Sequence, residues 1–463
     1  MATTSSAIPA TMSPKQRRRR VFRLALPAVA EQVLNTLVGI TDIFLVGHLT
    51  VVAMAQLGYT SEAALAGVGL ANQMVWLVTV FFMATSIGST ALIARAKGAG
   101  DIAQANRVLR QSLIIGLLMG LFATLFGLFL APFAMQALGA ADNVVPLGVT
   151  FLNIVAIGFI PAALLFIGTA ALRGMGDTRT PLFVMLGVNA TNIVLSVLLV
   201  NGNLGAPILG VAGAAIGSAI ARGGGGLFLV GLLMRGQSGF KLSLNIRPDW
   251  GILRRIVKIG APSGGEQLVF QGALLVFVRF VTGISTTAYA AHNVVIHIES
   301  LSFLPGMGYA VAASTLVGQS LGAQDPREGR ASAYEALLQG GIMMTVLGAI
   351  MMIFPQQLLS LFVADPAVAQ TGAVAMFIAG MVQPFLAVNF ILSGALRGAG
   401  DTRWPLYTKI ISVWGIRLPL VMLLLYLGLG LTGVWIAMAV DFAVQAALAF
   451  WRFHSGKWQS VVV

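Results

Sequence analysis

The 463-residue chain is 57% hydrophobic and 9% charged, with a mean hydropathy of +0.90, whereas soluble domains are about one quarter charged; a single soluble core is excluded. The absence of cysteine excludes disulfides, thiolate metal sites, haem attachment and thiol nucleophiles. The net charge of +13 is arranged as a topology signal rather than a polyanion-binding patch, so no nucleic-acid partner is expected.

Residues 1–23 are Ser/Thr-rich and then basic, ending in Arg17, Arg18, Arg19, Arg20 and Arg23. The apolar segment that follows is longer than the core of a signal peptide and carries Glu31, Asn35 and Asp42. It is therefore expected to be retained as the first membrane helix. Apolar runs of the ~20 residues needed to cross a bilayer predict twelve spans, near 24–47, 64–93, 112–137, 146–171, 181–200, 206–234, 258–282, 287–317, 334–357, 369–393, 405–427 and 430–452. Their continuity predicts an all-α membrane protein, since barrel strands would alternate.

Nearly all Lys and Arg residues fall in the amino-terminal tail, the even-numbered loops and the carboxy-terminal tail, and the odd-numbered loops hold none. The positive-inside rule then places both termini in the cytoplasm of a multi-pass inner-membrane protein. Arg222, Arg279 and Arg417 fall within spans.

The segment ALRGMGDTRTPL at 171–182 recurs as ALRGAGDTRWPL at 395–406, with ten of twelve residues identical at an offset of 224. An offset of 235 aligns RRVFRLALPAVAEQ at 19–32 with RRIVKIGAPSGGEQ at 254–267, so the first half carries extra residues around 48–63. Six spans per repeat is an even number, which makes the repeats parallel and predicts two six-helix bundles around a cleft, rocking to give alternating access. The expected divisions are a basic tail at 1–23, lobes at 24–235 and 254–452, a cytoplasmic linker at 236–253 and a tail at 453–463. In the repeated loop, Gly174, Gly176, Gly398 and Gly400 would permit a tight reversal. Asp177 and Asp401 would cap the following helices, which Pro181 and Pro405 open.

An ionisable group in the bilayer is costly unless paired or hydrated, which marks each one as a functional candidate. Glu31 and Asp42 lie eleven residues apart in span 1, within about 20° of one face. Glu266 lies in span 7, His292 and Glu299 share a face of span 8, and Asp441 lies in span 12. The repeat equivalent of Asp42 is Phe277, so a coupling site would belong to one lobe. A sodium ion there would need several oxygens, from Asp42, Asn189, Asn192 and carbonyls, whereas a proton needs only the carboxylate. No other metal site and no cofactor is expected. Spans 11 and 12 are joined by a very short loop, and counting ~1.5 Å per residue puts Arg417 and Asp441 at similar depth, so a structural ion pair is expected.

The segments LALPAVAEQ and TDIFLVG in span 1, the paired ALRGxGDTR turns, AAHNVVIHIESLSF leading into STLVGQSLGA, and GVWIAM in span 12 resemble the multidrug and toxic compound extrusion (MATE) family, prokaryotic branch. The resemblance implies a V-shaped pair of six-helix bundles that exports drugs or metabolites in exchange for Na+ or H+. It also implies that Asp42 is the span 1 aspartate of cation coupling, and that Asn192 is the asparagine of an Asn-x-x-x-Asp pattern whose aspartate position is Ser196 here. Glu266 lies four residues after Pro262, nearer than the family's span 7 glutamate.

The expected function is therefore a secondary active antiporter for small organic, often cationic, compounds, working as a monomer in the lipid bilayer. Glu266, Glu299 and His292 are candidates for ion or substrate recognition in the second lobe. The alternative is a flippase for lipid-linked saccharides, which would need a strongly cationic cavity. No nucleotide-binding, HExxH or nucleophile-elbow motif is present, so no enzyme is expected.

Overall fold

The computed structural model describes residues 12–242, 247–363 and 365–461. Parts of the expected tails (1–11, 462–463) and linker (243–246) lie outside the described residues. Among the described residues there is no β-strand. The first half comprises α1 (Pro14–Gly47), α2 (Val51–Leu57), α3 (Ser61–Gly98), α4 (Ile102–Phe129), α5 (Ala131–Ala137), α6 (Val145–Ile157), α7 (Phe159–Met175), α8 (Arg179–Asn201) and α9 (Val211–Met234). The second comprises α10 (Trp250–Thr282), α11 (Thr286–Gly322), α12 (Pro326–Ile353), α13 (Pro355–Ser360), α14 (Pro366–Met381), α15 (Gln383–Gly398) and α16 (Arg403–Lys409). A π-helical stretch over Ile410–Arg417 then leads into α17 (Leu418–Tyr426), and α18 (Gly430–His454) ends the half.

Among the described residues ten helices, the stretch from α16 to α17 counted as one, are long and apolar enough to span a membrane, and two bent pairs bring the total to twelve. The bent pairs are α6 with α7, at 58°, and α14 with α15, at 47°. They break at Gly158 and Val382, positions related by the 224-residue repeat, and in each case a proline (Pro161, Pro384) opens the second segment and removes a helical donor there. Large apolar side chains such as Phe122, Phe129 and Phe133 face outward, as a bilayer-embedded surface requires. The extra residues of the first half form α2, whose Thr50 cap accepts from the Ala53 amide at 3.2 Å.

The chain divides into two compact units. One holds residues up to 29, 94–100 and 261 onward; the other holds 30–93 and 101–260. Both have an apolar core, the first around Trp435, Phe453 and Trp458, the second around Phe82, Phe151 and Met135. Within the first unit the repeat makes a reciprocal contact. A β-carbon on Gly98 would lie 1.9 Å from the Gln319 carbonyl oxygen, and one on Gly322 would lie 2.0 Å from the Arg95 carbonyl oxygen. Since 319 and 322 are 95 and 98 shifted by 224, each helix end presents its glycine to the other's backbone.

The two repeated loops differ from their expected roles. Gly176 (φ 87°) and Gly400 (φ 85°) make the left-handed reversal. Gly174 and Gly398 stay helical and serve close packing instead, with a β-carbon at Gly398 meeting the Ser314 carbonyl oxygen at 2.0 Å. Asp177 does cap: its Oδ1 accepts from the Arg179 and Thr180 amides at 3.1 and 3.0 Å, and its Oδ2 accepts from the Thr180 and Ser238 hydroxyls. Asp401 does not; it pairs with Arg452, Nε to Oδ2 at 2.7 Å, because the second half has a guanidinium in reach where the first offers Ser238.

Burial alone would raise the Asp177 carboxyl, but the hydrogen bonds from Ser238 and Thr180 outweigh it and hold the group below the ordinary carboxylate range. A depressed folded-state value contributes stability above the unfolded value near 4, and that stability is lost as pH falls through the folded value. Asp177→Ala is therefore expected to lower detergent stability by ~1 kcal/mol at neutral pH, and by less in acid. A melting difference that does not shrink on acidification would show that the charge is not the source.

Candidate functional site

The Asp42 site is built by close packing of α8 and α9. A β-carbon on Gly213 would fall 2.5 Å from the Leu199 carbonyl oxygen, and one on Gly217 2.3 Å from the Ser196 hydroxyl, so the two glycines let the helices approach backbone to backbone. That approach carries Ser218 of α9 and Asn192 and Ser196 of α8, one turn apart, to one place. Asp42 of α1, 2% exposed, projects into it. Ser218 donates a short hydrogen bond to Oδ2, while Asn192 Nδ2 and Ser196 Oγ reach Oδ1 at 3.2 and 3.5 Å. Arg222, one turn beyond Ser218 on α9, adds an attractive field at the carboxylate.

Asn189 is not among the contacts of Asp42. Its amide donates to the Leu34 and Met185 carbonyls at 3.0 and 2.9 Å. The side-chain oxygens of both Asn189 and Asn192 are buried without a hydrogen-bond partner, an unusual expense for polar atoms in an apolar surround.

Glu31 lies elsewhere: its Oε1 accepts from Arg173 at 3.1 Å. Its repeat counterpart Glu266 is held by Arg397, whose Nη2 reaches both carboxylate oxygens at 2.8 Å. Both arginines come from the ALRG segments that end α7 and α15, so the repeat reproduces one acid-base clasp in each half. Neither glutamate is brought to Asp42 or Glu299.

The carboxy-terminal unit holds a larger polar cluster. Arg417 Nε donates to Asp441 Oδ2 at 2.8 Å and Nη2 to the same oxygen, and the guanidinium lies over the rings of Phe442 and Phe277, at 5.0 and 5.8 Å. Gln445 Nε2 reaches both Asp441 oxygens at 2.9 Å, and Gln445 Oε1 accepts from Lys409 Nζ at 2.7 Å and Asn389 Nδ2 at 2.9 Å. Glu299 is 0% exposed and neither carboxylate oxygen has a partner. His292, two turns earlier on α11, lies between Phe277 and Trp435 with Nδ1 unpartnered.

Sequence reading missed Ser218, Lys409 and Gln445. Gln445 is one turn from Asp441 in a stretch of α18 that is otherwise apolar from Gly433 to Trp451, a signal that was present; Lys409 is hidden by its nearness to the basic loop before α16.

Two repeats of six apolar spans with carboxylates buried among them are the architecture of a polytopic membrane carrier. The MatE family model matches residues 51–198 and 262–423. A probable multidrug resistance protein, NorM, of Thermotoga maritima is 32% identical over 96% of this chain and 94% of its own length. The uncharacterised transporter YisQ of Bacillus subtilis is 27% identical over 97% of both chains. Among solved structures, an outward-facing multidrug resistance MATE family transporter of the MOP superfamily superposes with a TM-score of 0.86 at 23% identity, covering 95% of this chain and 97% of that one. A MOP superfamily transporter from Pyrococcus furiosus matches equally, at 0.86 and 22%, with 95% of each chain covered. The chain belongs to the MatE family: it is a membrane transporter with the MATE fold, and not an enzyme.

Proposed function

We propose that the protein is a multidrug efflux antiporter of the inner membrane, with both termini cytoplasmic, working as a monomer. It expels small organic compounds, cationic ones among them, in exchange for Na+ or H+ entering through the Asp42 site. The relatives named as multidrug resistance proteins support the cargo class. The observation that carries the coupling is the Asp42 carboxylate, buried and held by donors from two other helices.

As an acceptor, Asp42 ties α1 to α8 and α9. Binding a proton turns one carboxylate oxygen into a donor, and binding Na+ recruits the oxygens of Asn189 and Asn192. Either change removes acceptors from Ser218 or Asn192 and loosens that tie, so occupancy of the site and the disposition of α1 are thermodynamically linked. Arg173, Arg397 and Arg417 are committed to carboxylates, which leaves them poorly suited to grip the pyrophosphate of a lipid-linked saccharide.

The test is efflux of a fluorescent cationic dye from proteoliposomes, with inward Na+ and proton gradients imposed separately. At least one gradient should accelerate efflux severalfold. Efflux indifferent to both would end the antiport reading.

A further inference from the structure

We propose that Glu299 is a second proton-exchanging carboxylate, in the carboxy-terminal unit, and that Arg417 serves Glu299 and Asp441 in alternation. The proposal rests on the antiport reading above but concerns residues separate from Asp42.

Glu299 is fully buried on α11, with no donor to either oxygen. An ionised carboxylate left so costs several kcal/mol, and far less when it carries a proton. In the arrangement seen, Glu299 therefore holds a proton while Arg417 is engaged by Asp441. The charge of Arg417 nevertheless acts on both Glu299 and His292, so one guanidinium lies within electrostatic reach of two acids.

Two features allow it to change partner. Asp441 does not depend on Arg417 alone, because Gln445 donates to both its oxygens and is itself tied to Lys409 and Asn389. Arg417 also closes the π-helical stretch over Ile410–Arg417, just before Pro419. A π turn holds one residue more than an α turn and commonly marks functional sites. Relaxing it would swing the side chain around the helix axis while Gln445 keeps the Asp441 charge solvated.

The remaining titratable and charged groups around Glu299 are few among the described residues, and the buried Lys409 of α16 is tied to Gln445. His292 shares its helix face. Glu266 on α10 is clasped by Arg397 of α15, and Arg279 is exposed near the end of α10. The charges of α12 are confined to its first ten residues, and α14 has none. Arg417 is thus the cation placed to serve Glu299 when it ionises. In the exchange step the Glu299 O–H bond breaks, the proton passes to water, the electron pair stays on the carboxylate, and Arg417 moves to it. The unit loses one positive charge, which a cationic cargo replaces.

The carbonyl stretch of a protonated carboxylic acid in infrared difference spectra reads this directly on the full-length protein, without transport. The parent should show a buried-acid band that is lost as Glu299 releases its proton on adding tetraphenylphosphonium. Glu299→Gln should lack that band, and Asp42→Asn should retain it. Asp441→Asn, which frees Arg417 for Glu299, should lack it even without tetraphenylphosphonium at neutral pH. In lightly buffered detergent, Glu299→Gln should release one proton fewer per bound tetraphenylphosphonium than the parent. A band that persists in Glu299→Gln overturns the proposal, as does one unchanged in Asp441→Asn. Those results leave the antiport reading intact, whereas gradient-independent efflux by a parent with the expected band would remove that reading and leave the assignment of the acid.

Discussion

Asp42→Asn is expected to abolish gradient-driven export while leaving the protein inserted and folded. The substitution preserves shape and removes the charge that Ser218, Asn192 and Ser196 converge on. An amide can still accept one or two of those hydrogen bonds, so the helices remain packed on the glycines Gly213 and Gly217. It can neither take up a proton near neutral pH nor offer a full negative charge to Na+. Hydrogen bonds to charged groups contribute roughly 1.5–3 kcal/mol each, and a loss of ~3 kcal/mol between the two states of the site is about a hundredfold in the coupled rate. The coupled component of dye efflux should fall by that order, so that efflux under an inward gradient drops to the rate without one. Ser196→Ala removes only the longest of the three contacts and should keep most of the coupling. Parental efflux by Asp42→Asn would place the coupling carboxylate elsewhere.

The twelve spans and the repeat were legible because each depends on a property written along the chain: runs of apolar residues, the distribution of Lys and Arg, and a loop copied at a fixed offset. The bends at Gly158 and Val382 could also have been anticipated from the nearby prolines. What the sequence hides is rotation about helix axes. Asn189 and Asn192 sit three residues apart on α8, yet only Asn192 reaches Asp42, while Asn189 turns to the Leu34 carbonyl. Ser218 carries no periodic signal, and its role follows from the close approach that Gly217 permits. The two GDTR loops show the same limit: an identical motif caps a helix through Asp177 and forms an ion pair through Asp401, because the neighbours differ, not the motif. The π-helical stretch over Ile410–Arg417 has no sequence signature at all, yet it carries Arg417.

Arg417→Leu is expected to be strongly destabilising, because it strands a charge instead of removing a pair. Asp441 would keep Gln445 but lose the guanidinium that donates through Nε and Nη2. Breaking a buried ion pair from one side costs ~3–5 kcal/mol. Arg417 also lies over Phe442 and Phe277, and loss of those cation–π contacts adds to the cost. Asp441→Asn should cost less, since the asparagine can still bond Gln445 and the freed guanidinium has Glu299 as an alternative partner. The exchanged protein, Arg417→Asp with Asp441→Arg, should recover part of the loss. Recovery cannot be complete, because the new arginine on α18 no longer lies over the two rings and the new aspartate on the π-helical stretch has no Gln445 one turn away. Thermal unfolding in detergent of the parent, Arg417→Asp, Asp441→Arg and the exchanged protein, compared as a double-mutant cycle, measures the coupling. A double mutant no more stable than the two single losses added together would show that Arg417 and Asp441 do not act as a pair.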